Sequence, residues 1–284
     1  MATELRPSRR RRSWRLPRHV LLIGFGLVML YPLLWMVSSS VKPTETIFRD
    51  PSIWPTELDL GNYVEGWGAL SHPFHFYLWN SAVIAILAVA GNLLSCSLAA
   101  YAFARLRFRG RNLFFAAMLA TLMLPIHVLI VPQYVLFSQL DWINTNLPLV
   151  VPKFLAHDAF FIFLMVQFIR GLPSELDEAA RIDGCGHIRI YWRIIIPLSV
   201  PALATSALFT FIWTWNDFFS QLIFLTDPEL WTMPVALRSF MDGQGETAWG
   251  ELFAMSIVGL MPIFGFFLAG QRYLTQGIAT TGFK

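Results

Sequence analysis

The sequence predicts an all-α polytopic membrane protein with six transmembrane helices, and three observations predict it. Hydrophobic residues make up 56% of the 284 positions and charged residues only 14%, against roughly 25% charged in soluble proteins. Six apolar stretches reach the length of about 20 residues that a helix needs to cross the hydrocarbon core, where each backbone polar group must be satisfied within its own segment. The basic residues, finally, fall almost entirely on alternate connecting segments.

The first stretch, about 19–41, follows a tail that carries Arg9, Arg10, Arg11 and Arg12. A basic cluster there is what orientation across the membrane demands, so nucleic acid is not an expected partner. The apolar run is too long for a typical secretory h-region. No A-x-A-like site precedes Lys42-Pro43, although Ser38, Ser39 and Ser40 supply small residues, and an uncleaved span is expected. Residues 42–78 then contain Pro43, Pro51, Pro55 and Pro73 with scattered aromatic residues. They predict an irregular outer loop with short helical pieces near the bilayer surface, its aromatics in the interfacial belt.

The second stretch, 79–104, ends in a short hairpin around Arg107–Asn112 that leads to the third, 113–133. Asn92, Ser95 and Ser97 in the second suit helix-to-helix contacts. Pro125 and Pro132 each remove a backbone donor from the third and should bend or loosen it, either as a static kink or as a hinge beside a polar cavity. Pro201, and Gly259, Pro262 and Gly265, admit the same two readings. The fourth stretch, 149–169, holds His157 and Asp158. An aspartate at mid-bilayer costs about 2.5–3.5 kcal/mol, so the pair either faces protein or water or lies nearer the outer surface and pairs with Lys153.

Residues 171–196 are soluble in character yet lie between two apolar runs. Ser174 predicts an N-cap with Asp177 three residues on, in an approximate capping box. Glu175, Asp177 and Glu178 suit the positive end of a helix reaching about Asp183. Gly184 stands where a left-handed residue turns the chain, and a second helix is expected over about 187–193. Pro197 should open the fifth stretch, 197–220. Leu176, Ala179 and Ala180 form a small, low-relief stripe on an acidic helix, a face for docking into a partner. A helix lying on lipid would show larger apolar residues and lysine.

Near the outer part of the fifth stretch, Trp213, Trp215, Asn216 and Asp217 combine aromatic faces with amide and carboxylate groups. Such groups bind sugars, and they equally form an interfacial anchor with a turn. The sixth stretch is 251–271. With the N-terminus placed in the cytoplasm, 17 of the 21 lysines and arginines lie on the inner side, leaving Lys42, Arg49, Lys153 and Arg238 outside. Asp50, Glu57, Asp59, Asp227, Glu229, Asp242 and Glu246 lie on the outer side. Cys96 and Cys185 read as small residues rather than a disulfide.

Glu178-Ala179-Ala180, then Gly184, Ile194, Ile196 and Pro197, stand at the spacing of the EAA signature, with Ile196 where leucine is usual. Asn80-Ser81, the run Ala100–Gly110, Met123-Leu124-Pro125, Trp215-Asn216-Asp217-Phe218 and Gln271-Arg272-Tyr273 extend the likeness along the chain. The sequence thus resembles permeases of ATP-binding-cassette (ABC) importers of the carbohydrate-uptake type, the group that includes the maltose and glycerol-3-phosphate importers. The C-terminal Gly282-Phe283-Lys284 is a looser match.

The resemblance implies the type I ABC importer transmembrane fold with a cytoplasmic EAA coupling loop. Residues 1–78 would form the tail, first helix and outer loop, residues 79–271 the permease core with its coupling loop at 171–196, and residues 272–284 a cytoplasmic tail. It implies ATPase-coupling roles for Glu178, Ala179, Ala180, Asp183, Gly184, Ile194 and Pro197. It also makes His157, Asp158, Trp213, Trp215, Asn216 and Asp217 candidates for the solute pathway. The implied partners are a second homologous permease subunit, an ABC ATPase dimer that carries ATP and magnesium, and an extracytoplasmic solute-binding protein, with lipid around the spans. The location implied is the cytoplasmic membrane with both ends inside.

This chain should bind no cofactor or metal and catalyse nothing. It has no Gly-Lys-Ser/Thr phosphate loop, no Gly-x-Ser-x-Gly elbow and no His-Glu-x-x-His motif. The expected solute is an oligosaccharide or related sugar, with a polyol or sugar phosphate as the alternative. A self-sufficient carrier is the competing class, but it would need charged groups on several spans, and inverted-repeat carriers often show matched interrupted helices; neither pattern stands out here.

Overall fold

A computed structural model describes residues 15–241 and 248–281. The Arg9–Arg12 cluster, Asp242, Glu246 and the C-terminal Gly282-Phe283-Lys284 lie outside the described residues. The described chain is helical, with no strand among those residues. It divides into two compact units, one formed by the chain up to Ala69 with Phe240–Val258, the other by Leu70–Ser239 with the chain from Gly259.

The first unit contains α1 (Arg15–Ser39), α2 (Gly61–Gly68) and the start of α14 (Trp249–Thr281). Apolar side chains of α1, among them Leu21, Phe25 and Val28, are exposed, as a membrane-facing helix requires. Ser38, Ser39 and Ser40 are buried. The outer loop that follows is irregular with a short 3-10 turn at Thr44–Thr46. Lys42 is 1% exposed. A buried ammonium needs partners, and its Nζ donates to the carbonyls of Asp50 at 2.8 Å and Ser52 at 2.7 Å. Asn62 donates to the carbonyls of Ser40 and Lys42 at 3.0 and 2.8 Å. Gly250 packs so closely on Asn62 that a Cβ there would stand 2.2 Å from its Oδ1.

In the second unit the 32-residue α3 (Phe74–Arg105) is the central element. It packs against α7 (Ala159–Gly171) and α11 (Val200–Trp215). Its buried polar residues make the interhelical bonds: Asn92 donates to the Thr210 hydroxyl at 2.6 Å and Ser95 to the Lys153 carbonyl at 2.6 Å. At Gly91 an added Cβ would stand 2.5 Å from the Phe154 ring, so only glycine lets these segments approach.

Four described helices, one of them bridging a short break, are long and apolar enough to cross a membrane: Arg18–Ser39, Phe74–Arg105, Leu147–Gly171 and Trp249–Arg272. A fifth arises if His187–Leu198 and Val200–Trp215, bent by 76°, form one span. The expected third span is not one helix. Residues 113–133 are divided between α4 (Arg111–Thr121) and α5 (Ile126–Gln139). Pro125 forces this break: it offers no N–H, disfavours the helical conformation in the residue before it, and is itself extended at φ −63°, ψ 130°. Pro132 is accommodated inside α5.

The fourth span is also interrupted. A short α6 (Leu147–Val150) and a 3-10 stretch, Val151–Leu155, precede α7, and Ala156 between them is left-handed at φ +54°. Beyond α11 lie the short α12 (Phe219–Phe224) and α13 (Met233–Ser239).

Candidate coupling surface and solute pathway

Leu172 leaves α7 in an extended conformation, and α8 (Glu175–Ile182) begins after Pro173. Ser174 does not cap it as the capping-box reading expected. Its φ of −71° and ψ of −22° are helical and its side chain makes no cap bond. Asp177 turns inward instead, its Oδ2 lying 3.0 Å from Nε of Arg105 at the end of α3, with side chains 8% and 10% exposed. Arg105 also donates from Nη2 to the Leu172 carbonyl at 2.8 Å. An ion pair between distant segments has replaced the local cap.

Gly184 turns the chain with φ +76°, and the Cys185 N–H reaches back to the Ala180 carbonyl at 2.9 Å. The second helix is longer than expected. After α9 (His187–Ile190) the chain continues through a π-helical turn, Tyr191–Ile195, into α10 (Ile196–Leu198) and bends at Ser199 into α11. Pro197 therefore ends this helix instead of opening the long one. Pro197 and Pro201, four residues apart, withdraw two bonds from one side of the helix, which places the bend between them.

Ala180 is 7% exposed and faces inward, a correction to the docking stripe. It joins Ile190, Tyr191 and Ile195 in a core with Cys96, Ala100 and Tyr101 of α3 and Val166 and Ile169 of α7, with Ile194 packed at its edge. The outward face carries Glu175, Leu176, Glu178, Ala179, Asp183 and Ile182, the last 88% exposed. Glu178, Ala179, Asp183 and Gly184 are thus presented together on an acidic, shallow surface, and Pro197 is exposed some distance along the chain. Beside α8 a cavity of about 750 Å³ is lined by Arg105, Arg107, Arg111, Arg181, Asp177 and Glu178. Arg105 is the residue that reasoning from local spacing missed.

The six pathway candidates separate into two groups. Asp158 sits at the interruption before α7, where its carboxylate accepts from Lys153 Nζ at 2.8 Å and lies 3.2 Å from His157 Nδ1. His157, Asp158 and Phe160 line a cavity of about 390 Å³ together with Leu122 and Leu124 from the α4–α5 break and Gln133 of α5. Trp213 is half exposed on α11, its ring 5.5 Å from that of Phe160. Two helix breaks therefore meet at one largely apolar cavity that His157, Asp158 and Gln133 supply with polar groups, and Trp213 stands behind Phe160.

Trp215, Asn216 and Asp217 lie elsewhere. Trp215 is 2% exposed, donates from Nε1 to the Gly259 carbonyl at 3.0 Å and stacks on Phe211. Asn216 donates to the Ile212 carbonyl at the end of α11, and Asp217 accepts the Ser220 N–H. This second group closes the helix end and locks α11 to α14.

A family model described as "Binding-protein-dependent transport system inner membrane component" matches residues 91–280. The chain belongs to this family. Its members are transport components and not enzymes. The chain is 34% identical over 275 residues to the trehalose/maltose transport system permease protein MalG of Thermococcus litoralis, covering 95% of this chain and 98% of that one. It is 34% identical over 268 residues to the sn-glycerol-3-phosphate transport system permease protein UgpE of Yersinia enterocolitica, covering 92% and 94%. A solved chain from a bacterial ABC transporter involved in the import of the acidic polysaccharide alginate superposes with a TM-score of 0.81. At 24% identity, the match covers 95% of this chain and 100% of that one.

Proposed function

We propose that this chain is one of two permease subunits of an ATP-driven, binding-protein-dependent carbohydrate importer. It crosses the cytoplasmic membrane six times with both ends inside, and α8 docks into an ABC ATPase that carries ATP and magnesium. The observation that carries this reading is the exposed acidic face of α8 mounted on a buried core shared with α3 and α7. ATP-driven closure of the ATPase pair pulls on α8, the attached helices turn, and the cavity between the helix breaks takes solute from the external binding protein. Gly184→Pro, which cannot adopt φ +76°, and Ala179→Arg, which puts bulk into the docking face, are expected to abolish uptake and solute-stimulated ATP hydrolysis while the chain still inserts. Normal transport by both variants overturns the reading.

The solute is proposed to be a neutral sugar. Trehalose/maltose and arabinooligosaccharide permeases stand among the relatives beside the glycerol-3-phosphate one. Lys153 has its ammonium taken by Asp158, which lines the cavity, and this leaves less positive field for a phosphate dianion. Uptake by the intact importer of labelled maltose or trehalose, measured against labelled glycerol-3-phosphate, tests this. Preferential uptake of glycerol-3-phosphate overturns the neutral-sugar assignment alone.

A further inference from the structure

Ser97, Tyr101 and Arg105 stand four residues apart on the inner half of α3, and so share one stripe of that helix. Each bonds the segment between α7 and α11. The Ser97 and Tyr191 hydroxyls share a bond of 2.7 Å, and the Tyr101 hydroxyl donates to the His187 carbonyl at 3.3 Å. Arg105 holds Asp177 and the Leu172 carbonyl. The Tyr101 and Tyr191 rings lie 5.4 Å apart, filling the space between the bonds. The stripe therefore touches α8, α9 and the π turn beyond them.

The covalent connections of the same segment are poor levers. Toward α7 the chain runs through extended Leu172 and then Pro173. Toward α11 it passes a π turn and a 76° bend flanked by Pro197 and Pro201. A pull on α8 transmitted only along the chain would be spent in bending these joints. We propose that the Ser97–Tyr101–Arg105 stripe is a latch that makes the inner half of α3 move with the coupling helices, and that Arg105 is its positioning residue. The inference rests on the coupling reading above and adds to it the path by which displacement reaches the centre of the fold. Arg105 acts through Asp177 and touches neither nucleotide nor solute.

The test uses the importer complex assembled with its ATPase and needs no solute. Spin labels are placed at Leu98→Cys on α3 and Ile182→Cys on α8, both exposed, in a Cys185→Ser background with Cys96 left buried. The probe is ATP with vanadate. In the latched protein the Leu98-to-Ile182 distance distribution is expected to be the same without nucleotide and with it trapped, the Ile182 label being held by the bound ATPase in both states. Arg105→Gln is expected to widen that distribution at least twofold in the trapped state, and Arg105→Asp combined with Asp177→Arg to restore it.

Tyr101→Phe removes one hydroxyl and leaves the ring packing, so it serves if Arg105→Gln does not assemble, with a smaller widening expected. Unchanged width in Arg105→Gln, or in Tyr101→Phe where only that variant assembles, overturns the latch and leaves the coupling reading standing. So does a shift of the unmutated pair on trapping. An Ile182 label that stays mobile under ATP and vanadate overturns the coupling reading and the latch with it.

Discussion

Asp177 and Arg105 are two side chains whose individual removal should have different consequences from that of their neighbour Ser174. Both are nine-tenths buried, and losing one leaves the other as an uncompensated charge out of water, which typically costs about 3–5 kcal/mol. Their approach at 3.0 Å is not aligned as a hydrogen bond, so the lower end applies. Asp177→Ala is expected to destabilise the chain by about 3 kcal/mol, read from the thermal unfolding midpoint in detergent. Ser174→Ala should change that midpoint little. A working N-cap is worth about 1 kcal/mol, but this hydroxyl makes no cap bond.

The contrast shows what was legible at this scale. Gly184 was readable because the demand for a left-handed residue is set by its immediate neighbours. Asp177 invited a capping reading because its real partner lies on another helix, far away in sequence, and no local pattern announces it. Trp215 stayed open to two readings for the same reason, since the Gly259 carbonyl that takes its indole N–H belongs to α14.

At the scale of elements, the positions of the apolar stretches were legible and their continuity was not. Leu122, Met123 and Leu124 are as apolar as the helices on either side, so composition averages across the break that Pro125 makes. At Ala156 the nearest proline is Pro152, four residues back in the 3-10 stretch, and the left-handed turn lies among side-chain contacts, the Lys153–Asp158 pair and the packing of Phe154 on Gly91. These breaks place His157 and Asp158 against Leu122, Leu124 and Gln133.

Restoring an N–H at position 125 should therefore let α4 run toward α5 and close the cavity. Pro125→Ala is expected to raise helical content by about one turn, three to four residues, measured by circular dichroism of the purified subunit. Uptake should fall severalfold with ATP hydrolysis less affected, because the variant alters the pathway and leaves the α8 face untouched. Unchanged uptake together with added helix would remove the α4–α5 break from the transport role.

Across the whole molecule, the distribution of charge carries the topology. A membrane protein's orientation follows from where lysine and arginine sit in its short loops, because those loops resist translocation. Arg107, Arg109 and Arg111 lie in the hairpin after α3, and Arg181, Arg189 and Arg193 in the segment that holds α8 and α9. On the proposed topology the hairpin and α8 share the cytoplasmic side, and the ion pair between Arg105 at the end of α3 and Asp177 of α8 ties the two together. The prediction concerns Ile182, 88% exposed at the end of α8. In a Cys185→Ser background, with Cys96 buried, a membrane-impermeant maleimide is expected to label Ile182→Cys in inside-out vesicles and leave it unlabelled in intact cells stripped of their outer layers. Bound ATPase should then protect it, because the proposed docking face and the labelled position are one surface. Labelling from outside would invert the topology, separating the basic segments from the cytoplasm and α8 from any ATPase it could meet.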